Sequence, residues 1–131
     1  MHNPYARQVF VDPYNNEIEY PNPGTIRIVN RKDLPPRSSN TIRIAIDRPH
    51  LLGNPFIIGR DGDRETVIKK YREWLNAEFC KNPRDPHLTP IDREMMRIHK
   101  AYLDGKDVHL VCNCHPLPCH GQVIKEIIEK L

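Results

Sequence analysis

Val108-His109-Leu110-Val111 runs into Cys112-Asn113-Cys114-His115-Pro116-Leu117-Pro118-Cys119-His120-Gly121, and Val123, Ile124, Ile127, Ile128 and Leu131 then follow at helical spacing. This closing stretch decides the fold. Four residues of strand-forming character read as a short buried strand, and the apolar period that follows reads as a final helix. A strand at 107–112 that follows a crossover helix is expected to lie in a parallel element. Ligands of such sheets gather beyond the C-terminal ends of the strands. The place of the Cys/His turn, between the last strand and the last helix, is therefore as informative as its residue types.

Upstream, Val67, Ile68, Tyr71, Trp74 and Leu75 mark an amphipathic helix over about 64–80. Thr89 as N-cap, Pro90 at N1 and Asp92 at N3 start another, whose Ile91, Met95, Ile98 and Tyr102 face one way and which Gly105 ends. Thr25-Ile26-Arg27-Ile28-Val29 and Thr41-Ile42-Arg43-Ile44-Ala45-Ile46 share the word TIRI and read as two half-buried strands, Ile inward and Arg outward. The expectation is a small α/β domain over 25–131, a mixed sheet flanked by helices in the order β-β-α-α-β-α and resembling half of a Rossmann fold. Residues 1–24, with Pro4, Pro13, Pro21 and Pro23, read as an adapter arm in which Val9-Phe10-Val11 adds a short edge strand.

At 131 residues the chain fits one domain, and its 13 prolines make much of it irregular. No apolar run approaches the roughly 20 residues of a membrane span, and Met1 to Pro13 lacks a signal-peptide core, so a cytosolic protein without a membrane partner is expected. The net charge of +3 comes from residues 1–60, with 8 Lys+Arg against 5 Asp+Glu. That excess is too mild for general duplex-DNA binding. Three of the four cysteines fall within eight residues, which suits metal or thiolate chemistry rather than a disulfide framework.

Cys112, Cys114, His115, Cys119 and His120 place five candidate zinc ligands in nine residues. Cys112, Cys114, Cys119 and His120 are the expected set, holding zinc at a closed structural site or at an open catalytic one. Cys119 has a second reading, as a reactive thiolate: Pro118-Cys119-His120-Gly121 looks like a first helical turn, where backbone N–H groups and the helix dipole lower a thiol's pKa, with His120 or His115 as its proton partner. A third reading makes these cysteines small buried hydrophobes at a proline-braced turn. Gly53-Asn54-Pro55-Phe56 and the glycine-rich stretch to Arg64 precede a helix. Glycine there can free N–H groups for an anion and Arg64 can add a charged contact, although a plain strand-to-helix connection needs glycines too. His50 reads as a loop histidine, Cys80 as core, and Tyr71 with Trp74 as packing.

Gly53 to Phe56, Arg64 after Asp61-Gly62, Val67-Ile68-x-x-Tyr71-x-x-Trp74-Leu75, Gly105-Lys106 and Cys112-x-Cys114-x-Pro116-Leu117-Pro118-Cys119-His120-Gly121 together resemble the uncharacterised family known as domain of unknown function 4326. The resemblance spans about residues 41–131. It implies a family frequent in bacteriophage genomes and also found in bacteria, hence the host cytoplasm for a phage-encoded member; it implies no reaction. His115 stands where relatives often carry a small residue, which favours His120 as the site histidine. The expected function is binding or processing of a nucleotide or modified nucleobase, in the manner of an enzyme serving phage DNA modification. Gly53, Asn54 and Arg64 would hold the substrate, and Cys119 and His120 would act on it beside the zinc. The deaminase signature H-x-E…P-C-x-x-C is absent. The rival is a zinc-stabilised interaction module, or phage effector, without catalysis.

Overall fold

A computed structural model describes residues 8–11, 17–20 and 22–131. Strands β1 (Gln8–Val11) and β2 (Glu17–Tyr20) pair antiparallel as a two-stranded ribbon of their own. They fall within the expected arm, whose remaining residues, apart from 22–24, lie outside the described ones. From there the order is β3 (Thr25–Asn30), β4 (Thr41–Ala45), α1 (Arg64–Glu78), α2 (Pro90–Leu103), β5 (Asp107–Cys112) and α3 (Gly121–Glu129), the α/β order read from the sequence.

The domain's sheet has three strands in the order β3-β5-β4, all parallel. The two TIRI strands are therefore not neighbours. Crossovers between parallel strands are right-handed, and the steps β3 to β4 and β4 to β5 move in opposite directions across the sheet. They must pass over opposite faces. Helices α1 and α2 serve the second step, packing with α3 on the face of Ile26, Ile44, Val108, Leu110 and Cys112. The loop 31–40 serves the first, crossing the other face, where Arg43 donates to the Pro35 carbonyl and Arg27 and Arg43 flank the fully buried His109. Ile inward and Arg outward holds for both strands.

Local chemistry fixes the ends of the elements. Asp63 caps α1 by accepting from the Thr66 N–H, and Thr89 with Asp92 forms the expected capping box of α2. Gly105 follows α2 with φ 82°, the left-handed conformation that ends helices. Helix α1 stops at Glu78, short of the expected 80, because the chain turns to send the Cys80 N–H to the buried Asp92 carboxylate at 2.6 Å. Phe79 consequently takes the core position and Cys80 is only half buried, its thiol 3.4 Å from Asp85, which corrects the reading of Cys80 as core. A Cβ on Gly24 would stand 1.8 Å from the Lys106 carbonyl, so only glycine lets the chain enter β3 against that turn. Among the described residues no helix is long and apolar enough to cross a membrane.

Candidate functional site

The C-terminal ends of the three strands are drawn together by Asp47, the residue after Ile46. Its carboxylate accepts both Nε and Nη2 of Arg31 at the end of β3, at 3.2 and 2.7 Å, and Nδ2 of Asn113 after β5 at 2.9 Å. Burial would raise the Asp47 pKa, but the Arg31 hydrogen bonds and charge prevail and lower it. Asn30 adds a second tie from β3, donating to the His115 carbonyl at 2.7 Å. Above this edge lies a cavity of about 370 Å³, within the usual range for small-molecule sites.

Six of the seven residues expected at the site line it: Asn54, Arg64, Cys112, Cys114, Cys119 and His120. The loop before α1 and the cysteine turn thus share one pocket, as the topology of strand ends requires. Gly53 lies beside it. Its N–H is spent on the His50 carbonyl at 2.9 Å, and a Cβ there would stand 3.0 Å from Arg48 backbone, so this glycine serves a close turn and does not present a free N–H. Asn54 is likewise committed, with Oδ1 accepting the Phe56 N–H at 2.9 Å and Nδ2 donating to the Val67 carbonyl at 3.2 Å. Its amide shapes the loop where that loop lines the cavity. Tyr71, fully buried, supports the same loop by donating its hydroxyl to the Leu52 carbonyl at 2.8 Å.

Arg64 bridges the two halves of the pocket, Nη1 donating to the Pro118 carbonyl at 3.2 Å, the one partner of its guanidinium among the described residues. Arg48 at the rim has no hydrogen-bond or ion-pair partner among the described residues, and sequence reasoning passed over it. With Asp47 neutralised by Arg31, the cavity presents two guanidiniums and no unpaired carboxylate. Phe56, Ile57 and Ile58 form its apolar wall, the two isoleucines at 37% and 49% exposure.

At the floor, the Cys119 thiol beside Cys112 and the backbone N–H groups of His115 and Cys114 hold the Cys112 thiol below the ordinary cysteine range, against the opposing effect of burial. The same shared proton, together with burial, pushes Cys119 up despite the Gly121 N–H at 3.4 Å from its sulfur. Cys112 on the strand and Cys119 at the helix start thus share one proton, and the N–H donors around Cys112 favour the thiolate there. Cys119 Sγ also lies 3.5 Å from Nδ1 of His120. The other ring nitrogen faces the Ile46 carbonyl at 2.6 Å, an acceptor only, so Nε2 carries the proton and Nδ1 is the free base. Burial keeps this imidazole neutral, and Tyr71 packs edge-on against it with ring centroids 4.8 Å apart. The trio can share and pass one proton under the anion-attracting rim. Among the described residues no three His, Cys, Asp or Glu side chains converge into a metal-binding group. His115 lines a neighbouring groove instead of this cavity.

Comparison with known proteins follows the same elements. The chain is 29% identical over 90 residues to the "Uncharacterized 12.4 kDa protein in nrdA-td intergenic region" of Enterobacteria phage T4, a match covering 67% of this chain and 68% of the relative. No solved structure matches. The family described as Domain of unknown function (DUF4326) matches residues 29–130, from the end of β3 through α3 and so across every residue of the cavity, and the chain belongs to that family.

Proposed function

We propose that the chain binds a nucleotide or nucleobase-bearing small molecule in the 370 Å³ cavity and processes it with its thiols, as an enzyme of the kind phages use on modified bases. The observation that carries this reading is the pairing of Arg48 and Arg64 over a floor containing a lowered thiol. Guanidinium groups without competing carboxylates favour a phosphate. The apolar wall of Phe56, Ile57 and Ile58 offers a flat heterocycle a dry contact. The thiols of Cys112 and Cys119, which share one proton, then supply the nucleophile, and His120 Nδ1 takes or returns that proton. Thermal-shift titration with a panel of 5′-mononucleotides tests it. At least one should raise the melting temperature of the wild type, and Arg64→Ala and Arg48→Ala should each remove most of that shift while folding normally. No shift from any nucleotide, or shifts untouched by both variants, would overturn it.

One observation favours a second reading, in which Cys112, Cys114, Cys119 and His120, which do not converge in the present arrangement, close around a zinc ion. The Nε2–H of His120 is anchored on a backbone carbonyl while Nδ1 is aimed at the Cys119 sulfur, the outer-shell support that metal-binding histidines usually have. Metal analysis of protein purified without added zinc decides it. About one zinc per chain with a melting temperature lowered by chelator supports zinc, and substoichiometric metal with an unchanged melting temperature rejects it.

A further inference from the structure

Beside the cavity, across the proline turn, lies a larger open groove of about 1030 Å³. The two share Ile68, Pro118 and Cys119 and so adjoin along that wall. One side of the groove is β3, an edge strand of the sheet, and the opposite side is built by α1, α3 and the turn His115 to Pro118. Its charge is one-sided: Arg27, Lys32, Arg72 and Lys125 line it against the single carboxylate of Asp33. Arg27 and Arg72 are held by Asp107 and Glu126, whereas Lys32 and Lys125 have no ion-pair partner among the described residues. Leu117 of the turn, 56% exposed, lines the groove.

We infer that the nucleotide taken by the cavity belongs to a single-stranded nucleic acid, whose flanking nucleotides lie in this groove with their phosphates on Lys32 and Lys125. The inference rests on the nucleotide reading of the cavity and names its substrate class. A free mononucleotide would use only the cavity and leave the adjoining basic track without a role. A strand's backbone is followed by such cations, and here Ile28 and Leu117 offer aliphatic contact for the bases where no Phe, Tyr or Trp among the described residues lines the groove. The mild overall charge suits a local track of this kind and not a duplex-binding face.

The test measures binding of each 5′-mononucleotide, of its single-stranded homododecamer, and of that dodecamer paired with its complement. The single strand should bind at least about tenfold tighter than the mononucleotide. Its two lysine–phosphate contacts should add a fall on the order of sevenfold between 50 and 200 mM salt to whatever the mononucleotide itself shows. Lys32→Glu with Lys125→Glu should remove that advantage and leave mononucleotide binding unchanged. Lys125→Gln serves if the reversal at the half-buried position 125 lowers the melting temperature. Equal affinity for strand and mononucleotide overturns the inference and leaves the nucleotide reading intact. A strand advantage that survives the lysine variants, or duplex binding as tight as single-strand binding, overturns it as well. Strand binding that depends on both lysines without any mononucleotide binding supports the groove and refutes the cavity's nucleotide role. Absence of all binding refutes both.

Discussion

Replacing Tyr71 by Phe removes one hydroxyl from the centre of the molecule, and the structure says what that should do. The ring is fully buried and keeps its contacts with Trp74 and His120, at centroid distances of 5.6 and 4.8 Å. Only the 2.8 Å hydrogen bond to the Leu52 carbonyl is lost. Leu52 is 1% exposed, so water cannot readily take the place of the hydroxyl. The loss therefore combines a net hydrogen bond with a stranded buried carbonyl, about 2 kcal/mol within a range of roughly 1–3. In a domain of this size that is on the order of 8 °C in melting temperature. Urea denaturation should show a lower midpoint with an unchanged slope. Tyr102→Phe is the control: its hydroxyl has no partner among the described residues, and the change should stay within about 0.5 kcal/mol. Because the bond ties α1 to the loop carrying Asn54, Tyr71→Phe should also weaken nucleotide binding. A Tyr71→Phe protein as stable as the wild type would refute the claim that this bond anchors the loop.

Other outcomes follow from single residues. Burial would raise the pKa of Asp107, but hydrogen bonds from Arg27, Thr25 and His109 hold it down at about 2; the stability this carboxylate contributes is present above its unfolded pKa near 4 and is lost as pH falls through 2. With Arg27 half exposed and screened, that contribution is about 1 kcal/mol, and Asp107→Asn should flatten this part of the wild-type loss of urea midpoint between about pH 4 and 2. Thiolate ultraviolet absorbance should show a titration step below the ordinary cysteine range that Cys112→Ser abolishes and Cys80→Ser leaves unchanged; a step that survives Cys112→Ser would move the thiolate elsewhere. Gly24→Ala, whose Cβ meets backbone at 1.8 Å, should cost about 3 kcal/mol or more, and a neutral result would contradict the close approach of β3 to the 105–106 turn.

Much of this fold is legible in the sequence because its signals are local. Thr89-Pro90 with Asp92 starts α2 as a capping box must, Gly105 ends it, and the apolar periods of α1 and α3 carry their own faces. The order of the strands is not legible in that way. Thr41–Ala45 repeats the pattern of β3, and nothing within either segment says that β5, more than sixty residues later, will lie between them. Convergence of the Arg64 loop with the cysteine turn is legible through topology, since both follow strand ends. The individual roles are less so. Nothing in the sequence shows the two backbone hydrogen bonds of the Asn54 amide, and Arg48 lies in no motif. Cys119 sits at the helix start where a lowered thiol is expected, but the strand-borne Cys112 collects more donors, a balance fixed only by three-dimensional packing.

The central claim, that a nucleotide occupies the cavity over the cysteine turn, is tested most directly by titrating the best-binding mononucleotide into isotope-labelled protein and following the backbone amide resonances. The largest shifts are predicted at Arg48, Arg64, Asn113, Cys114 and His120, with little change at Arg43, His109 or the 31–40 loop on the opposite face of the sheet. Shifts concentrated on that opposite face, or a spectrum that does not respond, would contradict it.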